Sequence, residues 1–171
     1  MNEKFYFIKK ALEGVKIVFF DVDGTLSIPR YLNSSGEFVI GFTDDDWVIS
    51  NIDKKDFYKY CIPVKTKTCI DTLDYLYSNG ADAKILTAEY TMGSLRSKTN
   101  FILDNFSAYF CEDDIYICPR TEDKLKFMRL YALKYGLKPN EICIIDDVFD
   151  LCLKANNLGF KAIHSSYLTG E

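Results

Sequence analysis

Ile17-Val18-Phe19-Phe20-Asp21-Val22-Asp23-Gly24-Thr25-Leu26 is the stretch on which the fold turns. With Val15 and Lys16 ahead of it, its first half is a β-rich apolar run, the pattern of a buried central strand. The second half sets two carboxylates two residues apart, and Gly24 permits a tight backbone path beside them. Carboxylates this close at a strand end are costly to place without a cation or a shared proton. A hard divalent cation with oxygen ligands resolves the repulsion, and Mg²⁺ also suits phosphate. Asp and Gly form ordinary turns after strands as well, so the surroundings decide between the two readings.

Working outward, Lys4 to Leu12 suits a short helix, and Pro29 to Phe42 a hairpin that turns at Asn33-Ser34-Ser35-Gly36. Thr43-Asp44-Asp45-Asp46 has the character of a helix start. Thr66 to Asn79 carries Cys69, Ile70, Leu73, Leu76 and Tyr77 at helical spacing and ends at Gly80. Ala83 to Leu86 is the next strand, Ser94 to Phe106 a helix, Asp114 to Cys118 a short strand, and Asp123 to Tyr135 a helix stopped by Gly136. Glu141 to Ile145 is another buried strand, Asp150 to Leu158 a helix closed by Gly159, and Phe160 to Ile163 the last strand. Strands alternating with helices predict an α/β fold, a Rossmann-like parallel sheet with helices on both faces. In such sheets ligands bind beyond the carboxyl ends of the strands. Asp21, Thr87 and Asp146-Asp147 each directly follow an apolar strand, so three segments deliver polar groups to one edge.

Composition narrows the classes. The 171 residues suit one domain, and 48% hydrophobic with 27% charged residues is ordinary for a globule with a core. A net charge of −4 argues against a chain that coats nucleic acid, since phosphate backbones demand a basic footprint. A nucleotide or a polynucleotide end remains compatible with a locally basic site. No stretch is apolar for long enough to span a bilayer, and the N-terminus is too short in apolar length for a signal peptide. Six cysteines form no Cys-x-x-Cys pair and there is one histidine, which disfavours zinc. Reduced thiols in a cytoplasm are the expectation. His164 lacks a catalytic partner in the sequence and reads as structural.

Phe20-Asp21-Val22-Asp23-Gly24-Thr25-Leu26 closely resembles the first motif of the haloacid dehalogenase (HAD) superfamily. Three further segments fit in order. Ile85-Leu86-Thr87 resembles the second motif, Lys124 matches the lone basic residue of the third, and Ile144-Ile145-Asp146-Asp147 resembles the acidic fourth. Ala155 and Gly159 suit the helix and turn that follow. The resemblance spans roughly residues 15–163 and implies a HAD-like single domain over 1–171, with a small flap-like insertion at about 28–62. It implies a Mg²⁺-dependent phosphatase. Asp21 would attack phosphorus and become an aspartyl phosphate. Asp23 would protonate the leaving oxygen and then deprotonate water. Thr87 would hydrogen-bond a phosphoryl oxygen, and Lys124 would neutralise charge on Asp21 and phosphate. Mg²⁺ would be held by Asp21, the Asp23 backbone carbonyl and a carboxylate of Asp146-Asp147. True dehalogenases of the family lack the second aspartate, so Asp23 points to phosphoryl transfer. Phosphomutases share the four motifs, and a degenerate member would bind a phosphorylated ligand without turnover.

Several assignments stay open in the sequence. Arg120 and Lys126 compete with Lys124. Adjacent residues at a strand end point to opposite sides, so one of Asp146 and Asp147 is expected as ligand and the other as its partner, with Asp147 favoured. Asp150 is either a further participant or a helix cap. The stretch from Thr87 to Lys124 is filled by a helix and a strand, so no large cap fits there, and the insertion after the first strand is modest. A nearly capless enzyme has an open site that admits a large substrate or takes a partner subunit, a second copy of the chain, as its lid. Tyr31, Phe42, Trp47 and Phe57 lie in the insertion and either pack it down or stack on a ring. Asp44-Asp45-Asp46 is a helix start or a cation site, and Arg96 and Lys98 either steer an anion or form a solvated helix face. A small phosphorylated metabolite or a nucleotide is the expected substrate.

Overall fold

The apolar run Ile17–Phe20 is a strand whose four residues are all buried. The structure is a computed structural model that describes residues 3–33, 35–41, 57–89 and 92–169. In chain order it contains α1 (Glu3–Ala11), β1 (Ile17–Phe20), β2 (Ser27–Ile28), β3 (Arg30–Leu32), β4 (Phe38–Ile40) and β5 (Ile62–Pro63). Then come α2 (Lys67–Asn79), β6 (Asp82–Ala88), α3 (Met92–Phe106), β7 (Ile115–Cys118) and α4 (Asp123–Tyr135). The chain closes with β8 (Ile142–Asp146), α5 (Phe149–Asn157), β9 (Lys161–His164) and the short α6 (Ser166–Thr169).

Five strands form one sheet in the order β7-β6-β1-β8-β9, every pair parallel. This is the α/β Rossmann-like sheet that the alternating pattern predicts. Side chains alternate across it with the period of a strand. Val18 and Phe20 face a core with Ile8, Leu73 and Phe106 from α1, α2 and α3, whereas Ile17 and Phe19 face one with Met128, Tyr131 and Leu151 from α4 and α5. Burial of each such side chain contributes about 1.5–3 kcal/mol. The chain runs outward from β1 through β6 to β7, then returns to place β8 on the other side of β1. That reversal opens a crevice at the carboxyl ends of β1 and β8, the place where open α/β sheets bind ligands.

The helix boundaries follow local chemistry. Thr66 caps α2 by accepting from the Cys69 N–H, and Gly80 ends it at φ 69°, where its N–H reaches the Leu76 carbonyl. Strand β6 runs further than its apolar run suggests, because Thr87 and Ala88 still pair with Ile117 and Cys118 of β7. Strand β7 begins one residue later than expected, since Glu112–Asp114 forms a 3₁₀ turn. Helix α6 has no counterpart in the sequence reading.

The segment after β1 leaves and rejoins the sheet edge through a two-strand ribbon. Strands β2 and β5 pair antiparallel, Ser27 opposite Pro63, and the Val64 N–H donates to the Leu26 carbonyl at 2.8 Å. Strands β3 and β4 form the expected hairpin, with Asn33 Oδ1 accepting from the Ser35 and Glu37 N–H groups across the turn. Phe42, Thr43, Asp44, Asp45, Asp46 and Trp47 lie outside the described residues. Among the described residues, no helix is long and apolar enough to cross a membrane.

Candidate active site

Asp21 directly follows β1, Thr87 lies near the end of β6, and Asp146 ends β8, so three parallel strands bring these groups to the crevice. Lys124 joins them from the first turn of α4. It is 1% exposed, and its ammonium lies 2.8 Å from both Asp21 Oδ1 and Asp146 Oδ2. Burial works against the ammonium, but the two carboxylates outweigh it and hold the group well above the ordinary lysine range. The competitors are elsewhere. Lys126 is exposed, and Arg120 is exposed and pairs with Glu122 and Asp123. Lys124 shares the buried stripe of Met128, Tyr131 and Ala132.

The acidic residues crowd one another. One carboxylate oxygen each from Asp21, Asp146 and Asp147 lies within 4.8 Å of the others. Asp146 accepts from Lys124 and from the Val148 N–H at 2.9 Å. Burial, followed by the charge of Asp21, pushes Asp146 up to about 6 and Asp147 up to about 7. The expectation that Asp146 and Asp147 face opposite sides does not hold for their carboxylates. Asp147 lies one residue past the end of β8, where strand alternation no longer governs direction.

A divalent cation fits this cluster. Asp21 Oδ1 is buried, with the Lys124 ammonium 2.8 Å away. Three carboxylates against one ammonium leave uncompensated negative charge, and every donor is oxygen, the set that a hard cation takes. Gly24 completes the wall. Its φ is 70°, and a Cβ there would lie 2.3 Å from Asp147 Oδ2. The backbone can therefore pass close to that carboxylate only at glycine.

Asp23 lies a short distance from the cluster and is gripped by two donors. Tyr58 OH donates to its Oδ1 at 2.7 Å, and the Lys98 ammonium to its Oδ2 at 2.8 Å. Lys98 also lies 2.7 Å from the Ala88 carbonyl, 3.2 Å from Glu89 Oε2 and 3.3 Å from Thr87 Oγ1. Burial opposes its charge, but the Asp23 and Glu89 carboxylates hold the ammonium above its ordinary range. Lys98 is thus neither a steering charge nor part of a solvated face, being 3% exposed. It falls three and four residues before Phe101 and Ile102, on the buried stripe of α3, and this spacing could have revealed it. Tyr58 reaches Asp23 from 35 residues away, a contact for which the sequence holds no local signal.

Other expectations resolve as follows. Tyr31 and Phe57 are buried and stack on each other, so they pack the segment after β1 and offer no face to a ring. Asp150 is exposed and pairs with Lys154, outside the acidic cluster, and α5 begins after Val148 without a side-chain cap. His164 bonds the Asp147 carbonyl through Nε2 and Ser166 Oγ through Nδ1, each at 2.9 Å. Next to it, Ser165 Oγ donates to the Gly24 carbonyl and its N–H to the Asp146 carbonyl. The end of β9 therefore straps together the two loops that carry the carboxylates. Along α3, a cavity of about 600 Å³ is lined by Tyr58, Lys59, Arg96, Asn100 and Asp104 among others.

No family model matches the chain, and no curated protein matches it. Solved structures do. A HAD family enzyme from Bacteroides thetaiotaomicron in its magnesium complex superposes with a TM-score of 0.55, at 12% identity over 92% of this chain and 96% of that one. The same enzyme in complex with magnesium and inorganic phosphate gives 0.53, covering 88% and 93%. The fold is the one this HAD family enzyme has. A haloacid dehalogenase-like family protein from Streptococcus pneumoniae gives 0.52 at 19% identity, covering 88% and 84%. The chain spans 66% of the length of a hypothetical protein from Xanthomonas campestris, with 91% of this chain covered, 16% identity and a TM-score of 0.46.

Proposed function

We propose that this HAD-like chain is a Mg²⁺-dependent phosphatase that hydrolyses phosphate monoesters through an aspartyl phosphate on Asp21. The observation that carries the reading is the buried Lys124 ammonium, 2.8 Å from both Asp21 and Asp146 and beside a third carboxylate, Asp147. An aspartate and a phosphate are both anions, and one attacks the other only where fixed positive charge offsets their repulsion. The Bacteroides enzyme of the same fold, solved with magnesium and inorganic phosphate, supports the same chemistry.

In this reading an Asp21 oxygen attacks phosphorus while the bond to the leaving oxygen breaks, and Asp23 gives that oxygen its proton. Water then attacks the phosphorus and passes a proton to Asp23. The bond to Asp21 breaks, inorganic phosphate departs, and both carboxyl groups are restored. Thr87 Oγ1 accepts from Lys98, which leaves its hydrogen for a phosphoryl oxygen. Lys124 balances the charge on Asp21 and the phosphoryl group. Mg²⁺ would be held by Asp21, the Asp23 backbone carbonyl and Asp147, with Asp146 in support because it already accepts from Lys124 and Val148. When bound, the cation supplies Lewis-acid charge to the carboxylate and the phosphate.

The substrate class is a small phosphorylated metabolite or a nucleotide, with residues 28–62 an insertion into a single domain. Six free thiols, five of them buried, suit a cytoplasmic protein. A screen of phosphorylated metabolites and nucleotides, run with Mg²⁺ and with EDTA, tests the proposal. It predicts release of phosphate that EDTA abolishes and Mg²⁺ restores. Full activity after exhaustive chelation, or none on any monoester, would contradict it.

A further inference from the structure

We infer that Lys98 and Tyr58 are positioning residues for Asp23, which hold its carboxylate in the orientation that proton transfer requires; this rests on the phosphatase reading above. Neither residue belongs to the four segments that carry the HAD resemblance. Lys98 comes from α3 and Tyr58 from the 3₁₀ turn Phe57–Lys59, where the chain returns from the insertion.

The hydrogen-bond inventory of Lys98 separates positioning from direct action. An ammonium has three donors. Here it donates to Ala88 O at 2.7 Å, Asp23 Oδ2 at 2.8 Å and Thr87 Oγ1 at 3.3 Å, and Glu89 Oε2 lies 3.2 Å away as a further ion-pair partner. Its capacity is filled by protein oxygens, so none remains for a phosphoryl group. A buried lysine is a costly way to fill a position on an apolar helix stripe, where an aliphatic side chain packs at least as well. What the ammonium adds is direction, a fixed donor on one Asp23 oxygen. Tyr58, 2% exposed, supplies a donor to the other oxygen at 2.7 Å. Two donors from two different elements remove the free rotation of the carboxylate. Orientation of a reacting group is among the larger sources of rate. Tyr58 also ties the return of the insertion to the acid/base, while Lys98 links the acid/base to Thr87.

The test exploits leaving groups. An alkyl phosphate needs a proton on its departing oxygen, whereas p-nitrophenyl phosphate does not. The parameter kcat/KM reports the first phosphoryl transfer, and kcat on p-nitrophenyl phosphate also reports the attack of water, which needs a base. Lys98→Met, with Mg²⁺ present, is expected to lower kcat/KM on an alkyl monoester by about 10 to 100-fold, a fraction of the about 10² to 10⁴-fold of positioned acid/base catalysis. On p-nitrophenyl phosphate it should leave kcat/KM within about threefold by the same argument while lowering kcat. Tyr58→Phe, which keeps the ring and removes the hydroxyl, should show the same split in smaller size and serves if Lys98→Met does not fold. Equal loss of kcat/KM on both esters, or loss on neither, would overturn the assignment while leaving the phosphatase reading in place. A wild-type protein inactive on both esters would overturn that reading and this inference with it.

Discussion

At the scale of single residues, the site is a balance between carboxylates that repel and lysines that hold them. Lys124 is the pivot, since it touches two of the three clustered acids. Removing one partner of a buried ion pair leaves the other charge stranded, at a cost of about 3–5 kcal/mol. Lys124→Met should lose stability of that order in urea unfolding, whereas Lys126→Ala, an exposed change, should stay within about 0.5 kcal/mol. Equal effects of the two would refute the pivotal role of Lys124. Asp21→Asn keeps the shape and removes both the carboxylate proposed as nucleophile and a repelling charge. It should abolish turnover, and in EDTA its thermal midpoint should be at or above that of the wild type, as lost attraction to Lys124 is offset by relief of Asp146 and Asp147. A clearly lower midpoint would show that the cluster is net attractive without metal. The residues legible in the sequence, Asp21, Asp23, Thr87, Lys124 and Asp146-Asp147, announce themselves by strand ends or by a motif. Lys98 was legible only as a charge on an apolar helix stripe, and Tyr58 not at all, because its partner is set by tertiary folding.

At the scale of elements, two turns do most to shape the crevice. The turn after β1 works only because Gly24 takes φ 70° and carries no side chain toward Asp147. Gly24→Ala forces a left-handed L-residue, at about 1–2 kcal/mol, and drives the Asp147 side chain away, since the new Cβ would also lie 2.9 Å from its Cβ. Calorimetric titration with Mg²⁺ should show affinity reduced by about 10 to 100-fold, the range for losing the support of a ligand; unchanged affinity would remove Asp147 from the metal's shell. The end of β9 contributes through Ser165, whose hydroxyl holds the Gly24 carbonyl at 2.8 Å. The alternation of strand and helix, the caps at Thr66 and Gly80 and the hairpin at Asn33 to Gly36 were readable because each is decided within a few residues. The ribbon of β2 with β5 and the strap from β9 were not, because each joins segments far apart in the chain.

At the scale of the whole molecule, the reversal of strand order at β1 makes one edge of the sheet acidic, and pH and metal act there together. Asp146 and Asp147 are raised to about 6 and about 7, so without metal the folded protein binds more protons than the unfolded chain between the ordinary carboxyl value and those values. The stability they contribute is complete below the ordinary value and is lost as pH rises through about 6 and about 7. At the proposed site Mg²⁺ would replace those protons, so the rise in thermal midpoint on adding Mg²⁺ should be small at acid pH and grow as pH passes about 7. A rise that does not vary with pH would mean that the cation binds away from this cluster. The central claim, that Asp21 carries the phosphoryl group, is tested most directly by acid quench of the protein turning over p-nitrophenyl [³²P]phosphate with Mg²⁺, followed by digestion and mass spectrometry. The prediction is one phosphoryl group on Asp21, released by hydroxylamine and absent in EDTA and in Asp21→Asn. Turnover that proceeds with no label on Asp21, or with label on another residue, would contradict it.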